Sequence, residues 1–266
     1  MSKFEISQKK SWAVLGVYIL FVILSLFILI NLSSNYKNDY IYLLFQVTTI
    51  GSTYFIFAYT RRKKYGKPKF NFNPTSLKII LLAVLVNIAI IFSITIPVVS
   101  FIPTPDFNEK ILANTSVDPN FVFFLSIVIL APLIEELLFR GYILEGLLAK
   151  YSYKKAILIS SLLFAIAHLN IWQFPGTFIG GILLGWLYYK TRSLALVMIL
   201  HASNNFFVFI QLLIQNNQVN KTSTTPFFSN NLFEILIIAI LAIVLLYFSL
   251  QFLLIELNKR TNYKWK

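Results

Sequence analysis

The chain has 266 residues, of which 58% are hydrophobic and only 12% charged, with a mean hydropathy of +0.74. A soluble domain carries about a quarter charged residues, so this composition excludes that class and defines a polytopic membrane protein. A net charge of +13 does not call for nucleic acid as a partner, because Lys and Arg collect in cytoplasmic loops; the absence of cysteine removes disulfides, thiolate metal sites and a cysteine nucleophile together.

With about 17 to 25 apolar residues per span, the candidate spans in chain order are 11–32, 40–60, 78–101, 121–148, 156–170, 176–190, 194–215 and 232–255. This predicts an all-α membrane protein of about eight transmembrane helices, built as a single membrane domain over 1–266. Lys3, Lys9 and Lys10 precede the first span, which is too long for a signal peptide and lacks a small-residue cleavage site, so it reads as retained. An N-terminus in the cytoplasm puts the basic run Arg61 to Lys69 on that side, with Lys78, Lys150, Lys154, Lys155, Lys190, Arg192, Lys259, Arg260, Lys264 and Lys266. Lys37, Lys110 and Lys221 are left outside, and both termini are expected in the cytoplasm.

The connection from Phe101 to Asn120, with its prolines and Asp106, Glu109 and Asp118, reads as an outer surface loop. Pro97 and Pro132 are expected to kink their spans. The fifth segment reaches only about 22 Å against a hydrocarbon core of about 30 Å, so it is expected to end within the membrane, where His168 lies. In the sixth, Gly176, Gly180, Gly181 and Gly185 make a doubled small-xxx-small spacing for close helix packing. Trp172, Phe174, Tyr188 and Tyr189 read as anchors at the membrane interface.

Charges inside the fourth span stand against this background. A charged group near a bilayer centre costs about 2.5 to 3.5 kcal/mol on insertion scales, so Glu135, Glu136 and Arg140 mark a functional site and require partners. Glu136 and Arg140 are four residues apart on one helix face and can neutralise one another. Glu135 is rotated by about 100 degrees from Glu136 and is the acid left for chemistry. Both histidines of the chain, His168 and His201, also fall in apolar segments, with Asn205 one turn beyond His201. Counted from the cytoplasmic end, Glu135, His168 and His201 lie at depths of about 20, 18 and 10 Å, an overlapping band that could line one cavity.

Two chemistries suit this set. A carboxylate and an imidazole can deprotonate a water while a second imidazole and an amide stabilise the oxyanion of peptide hydrolysis. Alternatively Glu135, His168 and His201 are three ligands of an open site for a divalent metal such as zinc. The other routes are excluded: Asp39, Asp106 and Asp118 all lie in connections or at span edges, and neither His-Glu-x-x-His nor Gly-x-Ser-x-Gly occurs.

The ordered set Glu135-Glu136-x-x-x-Arg140, Phe164-x-x-x-His168 and His201-x-x-x-Asn205 resembles the CPBP family of CAAX proteases and bacteriocin-processing enzymes, which includes the type II CAAX prenyl endopeptidase. The resemblance covers 121–210, the expected catalytic core. It implies an eight-helix intramembrane endopeptidase with a cavity open to the cytosol, in which Glu135 and His168 activate water and His201 and Asn205 stabilise the oxyanion. Glu136, Arg140 and Phe164 would support them, and a metal is left open. The Lys, Asn, Ile and Phe richness points to a bacterial cell membrane, where a membrane-associated peptide or protein is a more plausible substrate than a prenylated one. A non-catalytic bacteriocin-immunity or partner-binding protein of the same fold, and a small proton-coupled transporter, are the alternatives.

Overall fold

The computed structural model describes residues 4–32, 47–66, 70–73, 75–102, 120–219 and 232–264. Asp39, Asp106, Glu109, Asp118, Lys3, Lys37, Lys67, Lys69, Lys110, Lys221 and Lys266, and with them nearly all of the expected outer loop, lie outside the described residues. Among the described residues the fold is all-helical, without strands. The helices are α1 (Gln8–Leu32), α2 (Ser52–Tyr65), α3 (Leu77–Ser100), α4 (Phe121–Leu148), α5 (Tyr153–Ala167), α6 (Phe174–Thr191), α7 (Leu194–Val219) and α8 (Leu232–Lys264). Among the described residues, four stretches have the length and hydropathy to cross a membrane: Leu77–Ser100, Phe121–Leu148, Leu194–Ile214 and Leu232–Lys259. The chain is an integral membrane protein. Helix α5, with 15 residues, ends at Ala167 and is capped by His168, as its short apolar run predicts.

The prolines do not simply kink their spans. Proline has no N–H to serve the carbonyl four residues back, and in both helices the preceding turn widens into a π-helix. Ile91–Thr95 is π-helical ahead of Pro97, with the Ile96 amide reaching back five residues to the Ile91 carbonyl. Leu125–Leu130 is π-helical ahead of Pro132, with the Ala131 amide bonded to the Ser126 carbonyl. A second π stretch, Leu137–Leu144, follows the acidic pair, so Glu135 and Glu136 sit on a short α-helical piece, Ala131–Glu136, between two wide turns. Wide turns of this kind recur at functional sites.

The chain divides into two compact units, one of 1–75 with 122–203 and the other of 76–121 with 204–266; α7 runs from the first into the second. In the first unit, α5 packs along α6, and the start of α7 is held by the 70–73 segment: the Leu194 amide donates to the Asn71 carbonyl at 2.9 Å and the Ser193 hydroxyl to the Asn73 carbonyl at 2.8 Å. In the second unit, α8 packs along α3, and the Glu256 carboxylate accepts from Lys78 and Lys259 at 2.7 and 2.9 Å. Asn87 of α3 donates its amide to Asn204 of α7 at 3.1 Å, pairing two polar groups that the apolar surroundings would otherwise penalise.

The residues before α1 are built into the first unit. Ile6 is fully buried and its amide donates to the Gly146 carbonyl at 2.9 Å, while Phe4 packs against Tyr65 and Tyr142 under the Arg61 guanidinium. A Cβ on Gly146 would stand 2.5 Å from Cγ1 of Ile6. Gly146→Ala is therefore expected to cost about 1 to 3 kcal/mol through overpacking, read as a lower thermal midpoint of the solubilised protein. Adding Ile6→Ala should recover part of that loss, since the two side chains compete for one space; strictly additive losses would contradict this.

Candidate active site

The fourth span brings Glu136 and Arg140 together as the i,i+4 spacing predicts, at 2.7 Å, with side chains 0% and 1% exposed. Two ions in so dry a place must satisfy each other and their remaining hydrogen-bonding groups. Arg140 uses one terminal nitrogen on Glu136, directs the other to the Gly181 carbonyl of α6 at 3.3 Å, and lays its guanidinium 4.5 Å over the Phe164 ring. The same Glu136 oxygen receives Nδ1 of His201, from α7, at 2.8 Å. That bond assigns the hydrogen of the ring to Nδ1 and turns Nε2 toward Glu135, whose carboxylate lies 3.8 Å away, beyond direct hydrogen-bond reach. Glu135 remains 15% exposed, in contrast to its sealed neighbour.

His168 is placed by the end of α5. Its Nδ1 lies 2.8 Å from the Phe164 carbonyl, and a carbonyl only accepts, so Nδ1 carries the hydrogen and Nε2 of the neutral ring is free to accept. Leu169 then takes a left-handed φ of 51°, which closes the helix directly after the histidine. The Phe164 ring is the shared wall: His168 and His201 both meet it edge-on, at centroid distances of 4.8 and 5.6 Å, and Phe139 packs on it at 5.1 Å.

The structure thus gathers Glu135, Glu136, Arg140, Phe164, His168 and His201. Asn205 continues α7 one turn past His201, within the second unit. Glu135, expected opposite His168, has Nε2 of His201 at 3.8 Å. Among the described residues, no three His, Asp or Glu side chains are grouped closely enough to hold a metal ion, so the donor set as placed does not fit one. Sequence reasoning missed the Gly181 carbonyl and the bond from His201 to Glu136, both of which depend on contacts across helices. It also misplaced Tyr188, which is not an interface anchor: it is buried, and its hydroxyl donates to Glu145 at 3.2 Å, beside an Arg192–Glu145 ion pair.

Residues 117–207, a stretch that holds every gathered side chain, match the family model described as type II CAAX prenyl endopeptidase Rce1-like. Among curated proteins, the chain is similar to the membrane-embedded CAAX protease MroQ of Staphylococcus aureus (strain USA300), 31% identical over 132 residues, 47% of this chain and 53% of the relative. It is also similar to the UPF0177 protein YxdF of Lactococcus lactis subsp. lactis (strain IL1403), 40% identical over 80 residues, 30% and 44% of the two chains. An uncharacterized 24.3 kDa protein of Escherichia coli is 33% identical over 105 residues, 38% and 48% of the two. The chain spans about half the length of these relatives. No solved structure matches it.

Proposed function

We propose that the protein is an intramembrane endopeptidase that hydrolyses a peptide bond of a membrane-associated peptide or protein by a water activated without a covalent intermediate. The observation that carries this reading is the division of the acidic pair. Glu136 is sealed against Arg140 and His201, whereas Glu135 keeps a partly open carboxylate beside the far nitrogen of the same imidazole. The Rce1-like match and the likeness to the S. aureus CAAX protease support it.

In the proposed reaction Glu135, with Nε2 of His168 as a second acceptor, takes a proton from a water whose oxygen attacks the substrate carbonyl carbon. His201, in the form that carries a second proton on Nε2, and Asn205 one turn along α7 donate to the resulting oxyanion. The carbon–nitrogen bond then breaks, the proton held by Glu135 passes to the leaving amine, and a carboxylic acid and an amine are released. Glu136 and Arg140 hold His201 in place, and Phe164 spaces the two imidazoles. The test is cleavage of a library of dye–quencher peptides by the purified protein reconstituted in vesicles, with Glu135→Ala beside it; cleavage by both alike would sink the reading.

The distribution of Lys and Arg supports a location in a bacterial cell membrane with both termini in the cytoplasm. A reporter fused after Arg62, within the basic end of α2, is expected to be active inside the cell, and external activity would overturn the orientation.

A further inference from the structure

We propose that Gly181 is a positioning residue of this site: lacking a Cβ, it lets α6 approach α5 closely enough for its main-chain carbonyl to hold Arg140. The inference rests on the endopeptidase reading for its functional readout. The contacts form a line. The Gly181 carbonyl accepts from Nη2 of Arg140, Nη1 of Arg140 pairs with Glu136, Glu136 accepts from Nδ1 of His201, and Nε2 of His201 faces Glu135. A guanidinium held at both ends has one orientation, and that orientation fixes which Glu136 oxygen His201 can reach.

The first link leaves no slack. At 3.3 Å it is already at the long end of an N–H to oxygen bond, so a withdrawal of a few tenths of an ångström breaks it. A Cβ at Gly181 would force that withdrawal, because it would stand 3.1 Å from Cβ and 3.2 Å from Cα of Ser161. The second of those atoms is main chain and cannot swing aside, and Cδ1 of Phe164, the ring that both histidines meet edge-on, would lie in contact at 3.4 Å.

The same helix supplies its own controls. Gly185, one turn on, is crowded to a similar degree, with Cγ2 of Ile157 at 3.1 Å from its would-be Cβ, yet touches none of the charged groups. Gly180 faces open space. If small residues here served packing alone, alanine at 181 and at 185 would behave alike.

The experiment measures kcat and KM across pH for Gly180→Ala, Gly181→Ala and Gly185→Ala, with thermal midpoints, on the dye–quencher peptide that the native protein cleaves fastest. Gly181→Ala is expected to lower kcat roughly tenfold or more, the scale of one lost hydrogen bond to a charged group, with KM nearly unchanged and the pH profile displaced. Gly180→Ala and Gly185→Ala should keep the native kcat and profile, whatever Gly185→Ala does to the midpoint. Native kcat in Gly181→Ala, or an equal loss in Gly185→Ala, would overturn the inference. If Gly181→Ala does not accumulate, Gly181→Ala with Ser161→Gly replaces it: the Cα of residue 161 still stands 3.2 Å from the new Cβ, so the folded double variant should show a lowered kcat, and native kcat in it would also overturn the inference. Absence of cleavage by the native protein is a separate outcome, which counts against the endopeptidase reading; hydrogen exchange at the Gly185 amide then decides, faster in Gly181→Ala than in Gly180→Ala if Arg140 has been released, and alike in both if the inference is wrong.

Discussion

Arg140→Met is expected to lower the stability of the protein by about 3 to 5 kcal/mol, because it strips the counter-ion from a carboxylate that has no access to water. Glu136 is 0% exposed and its second oxygen has no hydrogen-bond partner among the described residues, so without Arg140 the carboxylate keeps only the hydrogen bond from Nδ1 of His201. Methionine keeps much of the length and the apolar stem of arginine, which separates loss of charge from loss of volume. The measurement is the thermal midpoint in detergent. Replacing Glu136 as well, as Glu136→Gln with Arg140→Met, should recover a large part of the loss, since the uncompensated ion is gone while an acceptor for His201 remains. A single variant as stable as the native protein would show that the pair does not hold the helices.

Glu135→Gln is expected to do the opposite. The side chain is partly open and makes no direct hydrogen bond with His201 at 3.8 Å, so the thermal midpoint should stay near native. Turnover should fall by about 10² to 10⁴-fold, the contribution of a positioned general base, because an amide of the same shape cannot accept the proton of water. Two adjacent glutamates would thus separate into one that supports structure and one that supports chemistry. A large loss of stability with little loss of turnover would reverse those roles.

Much of this was legible in the sequence because the rules involved are local. The i,i+4 spacing alone pairs Glu136 with Arg140, and the rotation of about 100 degrees per residue alone separates Glu135 from that pair. The shortness of the fifth apolar run places His168 at a helix end, which the cap after Ala167 bears out. What the sequence did not disclose involves distance in the chain. His201 and Glu136 are 65 residues apart, and Gly181 lies 41 residues from Arg140; no periodicity links either pair. The π turns ahead of Pro97 and Pro132 were half visible: a proline announces a missing donor, but not that the helix widens to accommodate it. Of the doubled glycine spacing, Gly181 and Gly185 face α5 as packing requires, whereas Gly180 meets open space. Tyr188 looked like an interface aromatic because its partner, Glu145, sits on another helix.

Glu135 and His168 are proposed to act together on a water whose attack forms the oxyanion that His201 holds. Peptide cleavage by the reconstituted protein, with each of the three replaced by alanine and with a chelator titration alongside, measures this. The native protein is expected to cleave, each substitution to reduce turnover by about two orders of magnitude or more, and chelation to leave native activity in place. Native-level cleavage by any of the three variants would contradict it.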